Sequence, residues 1–291
     1  FTTVLYCFGG VIRAYLNTYQ DNTGFAEDMQ SYYSESYDGG RTFTPPRSIP
    51  GCINNVHIKQ SVKVGEDWIL PFSWREITGN QWAFPTVGAP EKSCMVGGKE
   101  SEHTALGVSM GEAAEIEAYY QWASQNTEEY VGVLITNPSG NRYRLRGRIQ
   151  DPSISLCEPS LVELSDGTLV MYIRSNKEKR LYESRSYNHG ETWTPAVPLE
   201  IPTPITKVRL YRDHAGTIYF LHNPSYERRS PLSLWISRDD LRTWSEKYDL
   251  VTDTDLPLAY PDGYIDEENG LLCFAWDDRR NIYFSQWPIS R

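Results

Sequence analysis

The sequence predicts an all-β chain wound as a propeller of six, or five, four-stranded antiparallel blades. One observation is a recurring eight-residue pattern: Ser36-Tyr37-Asp38-Gly39-Gly40-Arg41-Thr42-Phe43, Ser186-Tyr187-Asn188-His189-Gly190-Glu191-Thr192-Trp193 and Ser237-Arg238-Asp239-Asp240-Leu241-Arg242-Thr243-Trp244. A degenerate copy starts at Thr136 and runs to Tyr143. From Thr136 onward the copies lie roughly fifty residues apart, the length of one propeller blade, and the wider gap after Ser36 leaves room for an insertion. The second observation is the alternation of runs rich in Val, Ile, Leu and Tyr with short Gly- and Asp-bearing turns.

Taken in order, Val4 to Leu16 reads as two short strands around Gly9-Gly10, and Ser31 to Ser36 as a third. The whole of residues 1–291 reads as a single propeller interrupted by an insertion at about 82–130. Within it Gly88 to Gly98 reads as loop. A helix is expected near 107–126, since Glu112 to Ala123 is rich in helix formers and spaces Ala114, Ala118 and Trp122 on one face. The repeated pattern has a mechanical reading: Asp or Asn accepts hydrogen bonds from turn amides, Gly takes the positive φ, and the aromatic packs between sheets. Asp38, Asn188 and Asp239 are therefore read as turn braces.

Composition narrows the function classes. A formal charge of −10, with Lys and Arg scattered singly, argues against a nucleic-acid partner. The 20 Tyr and 9 Trp suit strands and sugar-stacking surfaces alike. The five cysteines have neither CxxC nor metal-ligand spacing and read as ordinary thiols. No glycine-rich nucleotide motif is present, so no cofactor is implied, and no apolar run is long enough to span a membrane. The chain starts at Phe1 without a charged leader, which leaves the compartment open: secreted or periplasmic if a signal peptide has been removed, otherwise cytoplasmic.

The hairpin from Cys157 to Arg174 concentrates the chemistry. With Asp166-Gly167 as a two-residue turn, Ser165 faces Thr168 and Glu158 falls opposite Ser175, beside Arg174. A carboxylate and a guanidinium then share one end of one hairpin.

With the repeats, which are Asp-boxes, this hairpin makes the chain resemble the sialidase (neuraminidase) superfamily of BNR-repeat β-propellers, most of all from Cys157 to Trp287. The wording around Glu158 and Tyr260 is similar to that of the predicted neuraminidases of glycan-degrading bacteria. The resemblance implies an exo-acting glycoside hydrolase that removes a terminal acidic, sialic acid-like sugar from a glycan or oligosaccharide. It implies retention through a tyrosine nucleophile: Tyr260 attacks, Glu158 takes its proton, and Asp21 or Asp28 serves as acid/base. Arg174 and Arg229 match the second and third arginines that hold the substrate carboxylate. The chemistry is coherent, because a phenol with an ordinary pKa near ~10 needs a neighbouring base, and a planar guanidinium grips both carboxylate oxygens.

The family's first arginine lies in an Arg-Ile-Pro segment before the first box, and no such segment occurs within these residues. It falls upstream of Phe1 or is absent. His57 and Lys59, Lys207, Asn223, Asp262 and Arg280 are expected at the same rim. His57 beside Lys59 also admits a polysaccharide lyase or a uronate- or rhamnose-directed glycosidase, and a non-catalytic glycan-binding propeller is a third reading. Each residue has a bland alternative as well: Arg174 as a hairpin ion pair, Arg229 as a solvated loop residue, Tyr260 and His57 as core.

Overall fold

The computed structural model of the protein describes residues 4–19, 29–49, 57–58, 62–79, 121, 125–140, 142–252 and 256–289. Its contacts divide the chain into two compact units, Phe1–Arg75 with Glu129–Arg291, and Glu76–Glu128. In the second unit the amides of Thr78 and Gly79 donate to the Asn126 carbonyl at 2.8 and 3.2 Å. The helix expected near 107–126 lies almost wholly outside the described residues, as do Asp21, Asp28, Lys59, Cys52 and Cys94.

The described strands form five antiparallel sheets, where the sequence led us to expect six or five. The first holds β1 (Val4–Phe8), β2 (Val11–Tyr19), β3 (Met29–Ser36) and β4 (Arg47–Ser48). In the second, β5 (His57–Ile58) and β6 (Val62–Val64) both pair with β7 (Asp67–Ile77), followed by β8 (Thr127–Thr136) and β9 (Tyr143–Ile149). The third is β10 (Leu156–Glu163), β11 (Leu169–Ser175), β12 (Arg180–Ser186) and β13 (Val197–Pro202). The fourth is β14 (Arg209–Arg212), β15 (Ile218–His222), β16 (Leu232–Ser237) and β17 (Glu246–Val251). The fifth has three described strands, β18 (Ala259–Asp266), β19 (Leu271–Asp277) and β20 (Ile282–Pro288). Each sheet runs in chain order, and the leading strand β14 touches β10 on one side and β18 on the other. This is the stacking of propeller blades.

The core lies between blades rather than inside one. Along β11, Leu169, Met171 and Ile173 pack with Val131, Val133 and Ile135 of the blade before. The alternate residues Val170 and Tyr172 pack with Val208, Leu210 and Phe220 of the blade after. A strand buried on both faces needs an unbroken apolar run, which Leu169 to Ile173 supplies. Each such side chain contributes roughly 1.5–3 kcal/mol. Truncating Met171, fully buried, would leave a cavity costing about 2–5 kcal/mol.

The repeated pattern does what its residue types dictate. Asp38 Oδ1 accepts from the Arg41 and Thr42 amides at 3.0 and 2.9 Å, and Ser36 Oγ accepts from the Gly40 amide at 2.8 Å. Asp239 and Asn188 accept from the Thr243 and Thr192 amides, both at 2.9 Å. In the degenerate copy Asn137 accepts from the Arg142 amide at 2.9 Å. Hydrogen bonds from Thr42, led by its hydroxyl, pull the Asp38 pKa down to about 2. Trp193 and Trp244 pack against the layers between blades, whereas Phe43 of the first copy is exposed. Arg13 is structural too: buried on β2, it pairs with Glu35 and donates to the Ser139 carbonyl of the next blade at 2.9 Å.

Among the described residues no helix is long and apolar enough to cross a membrane, and no group of three or more His, Cys, Asp or Glu could hold a metal ion. Cys7, Cys157 and Cys273 are free thiols.

Candidate functional site

The hairpin of β10 and β11 departs from the expected register. The Leu164 amide donates to the Thr168 carbonyl at 2.8 Å, so the turn holds three residues, Ser165-Asp166-Gly167, rather than two. Gly167 takes a φ of 82°, the conformation such a turn requires at its last residue. Glu163 therefore pairs with Leu169, and a bulge between Cys157 and Ser160 shifts the ladder again, leaving Cys157 opposite Arg174. Glu158 sits in the bulge with a φ of 45°. Pro159 behind it has no amide to offer the ladder and disfavours helical angles before it, so this is a strained position. Its carboxylate nonetheless reaches the Arg174 guanidinium, and both side chains are more than four-fifths buried.

The same device recurs two blades on. A bulge between Ala259 and Asp262 interrupts the pairing of β18 with β19, and Tyr260, again followed by proline, has a φ of 50°. Strained backbone of this kind costs roughly 1–3 kcal/mol and clusters at functional sites. Here it leaves the Tyr260 side chain 41% exposed between the buried Ala259 and Pro261. The Arg229 guanidinium lies 5.4 Å from the centre of the Tyr260 ring. Burial opposes the charge of Arg174, but Cys157, Glu158 and Tyr260 offset this and raise its pKa. Glu158 and Tyr260 are thus both within electrostatic reach of one guanidinium.

Between them, β14 and the segment just before it supply an ion cluster. Lys207 and Arg209, 2% and 1% exposed, converge on Asp262: Lys207 Nζ to Oδ2 at 2.9 Å, Arg209 Nη2 to Oδ2 at 2.7 Å and Arg209 Nε to Oδ1 at 3.1 Å. The Gly263 amide adds a donor to Oδ1 at 2.9 Å. Burial alone would raise the Asp262 pKa, but Arg209 and Lys207 outweigh it and hold the carboxyl far below its ordinary value. Arg209 also feels the charge of Glu158.

Other expected residues sit differently. Asn223 is fully buried and its amide donates to the Pro231 carbonyl at 2.8 Å, inside the blade rather than at an open rim. The neighbouring His222 is buried between Phe220 and Trp235, and desolvation keeps it neutral. Arg280 is exposed in a turn, its amide donating to Asp278 at 2.9 Å, while the adjacent Arg279 lines a cleft. His57 pairs through its backbone with Ser73. Arg209 went unread from sequence, though it stands two residues beyond Lys207 and hence on the same side of an extended segment. Arg228 and Arg279 went unread as well, each masked by a neighbouring arginine.

The arrangement offers an exposed phenol, a carboxylate, and two guanidinium groups that can grip an anion, three of them carried by strands and Arg229 by the loop between β15 and β16. That is a set suited to an acidic small-molecule ligand.

Comparison with known proteins bears on the fold. No curated protein sequence matches the chain. Among solved structures it is similar to the Hadza microbial sialidase Hz136, with a TM-score of 0.67 at 13% identity over 96% of this chain and 50% of that one. It is similar to the intramolecular trans-sialidase from Ruminococcus gnavus, with a TM-score of 0.58 at 15% identity over 90% of this chain and 50% of that one. A protein of unknown function from Dyadobacter fermentans matches with a TM-score of 0.51 at 14% identity, over 99% of this chain and 94% of that one. The chain thus spans half the length of the two sialidase chains. The family described as BNR repeat-like domain matches residues 105–273, more than half of the sequence. Blade order, turn braces and this match agree: the chain belongs to the BNR repeat-like domain family, as a β-propeller similar in structure to sialidases.

Proposed function

We propose that the protein is a sialidase-like, exo-acting glycoside hydrolase that removes a terminal acidic sugar by a retaining mechanism. The observation that carries this reading is the matching placement of Glu158 and Tyr260, each at an Xaa-Pro bulge on a leading strand, with Arg174 paired to Glu158 and Arg229 against the Tyr260 ring. In the mechanism, Arg174 and Arg229 bind the sugar carboxylate. Glu158 takes the phenol proton as Tyr260 attacks the anomeric carbon, which gives a glycosyl-enzyme and avoids bringing an anionic nucleophile against an anionic sugar. Asp21 or Asp28 protonates the departing oxygen and then takes a proton from the attacking water, while Glu158 returns its proton to the tyrosine oxygen as the glycosyl bond breaks. Asp262 is held ionised by four donors, which leaves it no capacity to act as the acid and makes it the anchor of the strand that carries Tyr260.

The test is hydrolysis of a panel of aryl glycosides bearing sialic acid, a uronate and rhamnose. Release from the sialoside alone is expected. Release from the uronate or rhamnoside instead would move the substrate, and binding of sialic acid with no release from any would leave a glycan-binding propeller.

A further inference from the structure

Beside Tyr260 lies a second cleft, of about 350 Å³, lined by Pro204, Glu227, Arg228, Arg229, Leu256 and Arg279 among others. That volume falls near the lower end for small-ligand pockets, about 300 Å³, and admits one sugar ring. Its described lining holds three arginines and one glutamate: Glu227, Arg228 and Arg229 follow one another in one loop and Arg279 comes from another, and Glu227 Oε2 lies 3.6 Å from Lys179 Nζ. Among the described residues the lining thus carries more positive than negative charge on a chain whose net charge is −10, and local fields of one sign concentrate ligands of the other. Pro204, Leu256 and a further proline, Pro257, add the apolar surface that a pyranose face needs.

Two features show that this wall is built. Arg279 has a φ of 70° in a turn braced from below: Asp278 Oδ1 accepts from the Arg280 and Asn281 amides at 2.9 and 2.7 Å, and Asp278 Oδ2 from the Tyr283 hydroxyl at 2.8 Å. A braced turn that holds a non-glycine residue at positive φ fixes the backbone from which the Arg279 side chain leaves. On the opposite side the Arg229 carbonyl accepts from the Leu258 amide at 2.7 Å, and Arg229 Nη2 donates to the Ile205 carbonyl at 3.1 Å, which ties the cleft wall to the segments just before β18 and β14. Arg229 is shared: it lines this cleft and also lies over the Tyr260 ring.

We infer that this cleft is a second subsite, adjoining the one at Tyr260, that takes the next sugar of the chain and favours one bearing its own carboxylate. Arg228 and Arg279 would bind that second carboxylate while the apolar wall supports the ring. The substrate class is then an acidic oligosaccharide charged on consecutive residues rather than a single acidic sugar capping a neutral chain. This rests on the reading of Tyr260 and its arginines as the site of the terminal sugar.

Calorimetric titration of the Tyr260→Phe protein, which keeps substrates intact, tests it with three probes: free N-acetylneuraminate, 3'-sialyllactose with a neutral second ring, and α2,8-linked disialic acid with a carboxylate on both rings. Disialic acid should bind at least tenfold more tightly than sialyllactose. In Arg228→Ala/Arg279→Ala on the same background, with an unchanged unfolding midpoint, that ratio should fall to within twofold, and Arg279→Lys should retain part of it. Equal affinity for the two oligosaccharides, or a preference that survives the double substitution, overturns the subsite while leaving the Tyr260 site standing. Failure of all three probes to bind overturns both.

Discussion

Arg209 grips both oxygens of Asp262, with Nη2 2.7 Å from Oδ2 and Nε 3.1 Å from Oδ1, from a position that is 1% exposed. Lys207 shares the same carboxylate. Two buried cations, Arg209 at the start of β14 and Lys207 just before it, thus depend on one anion carried by β18, two residues after Tyr260. The pairing fixes one leading strand against the next where the chemistry is proposed.

Asp262→Ala should therefore destabilise the protein by about 3 kcal/mol, because it strands two buried charges. Thermal unfolding would read this as a fall of several degrees. The sign with pH follows from the depressed pKa of Asp262. Its contribution is complete above the ordinary value near ~3.9 and is lost as pH falls below that toward the folded value. Stability of the wild type should drop on acidification below about pH 4, and that of Asp262→Ala should drop less. Parallel pH profiles for the two proteins would contradict the pairing.

Gly263→Ala tests the closeness of β18 to β19. A Cβ at Gly263 would fall on the Cys273 carbonyl and 2.8 Å from Phe274 Cα, both backbone atoms that cannot swing aside. Overpacking of this kind costs roughly 1–3 kcal/mol. Since the strain would reach the bulge, hydrolysis and stability should fall together; a variant that unfolds at the wild-type temperature would contradict this packing.

The turn braces should separate from function. Ser186 Oγ accepts from the buried Gly190 amide at 2.8 Å, and removing it in Ser186→Ala leaves that amide unsatisfied, at about 1–3 kcal/mol. Hydrolysis per folded molecule should stay at the wild-type level. The braces also differ in acid: the Asp38 pKa is lowered to about 2, so that turn weakens as pH falls from ~4 toward that value, whereas the Asn188 turn does not titrate. The amide protection factor, corrected for the pH dependence of intrinsic exchange, should fall between pH 6 and pH 2.5 at Thr42 and not at Thr192; equal changes at the two would contradict the assignment.

Glu158→Gln keeps the shape of the bulge and removes the base. Turnover should fall by about 10²–10⁴, the range for loss of a general base, with sugar affinity within a few-fold of wild type. Turnover within tenfold of wild type would remove Glu158 from the mechanism.

Much of this was legible in the residues. The turn pattern gave the blade repeat because its hydrogen bonds are local, made within one loop. Glu158 beside Arg174 was legible for the same reason, though the pairing comes through a bulge and a three-residue turn that strand alternation does not encode. What escaped the sequence depends on contacts between blades. Arg209 meets Asp262 across 53 residues, and Arg279 comes to Arg229 only once the fifth blade stacks on the fourth. The burial of Asn223 was likewise illegible, since a polar residue at a strand end reads the same whether it faces solvent or a proline carbonyl.

The most direct measurement of the central claim compares Tyr260→Phe with the wild type in hydrolysis of an aryl sialoside and in binding of sialic acid. The proposed nucleophile predicts a fall in turnover of about 10³-fold or more with affinity retained. Substantial hydrolysis by the phenylalanine protein would show that another group attacks the sugar.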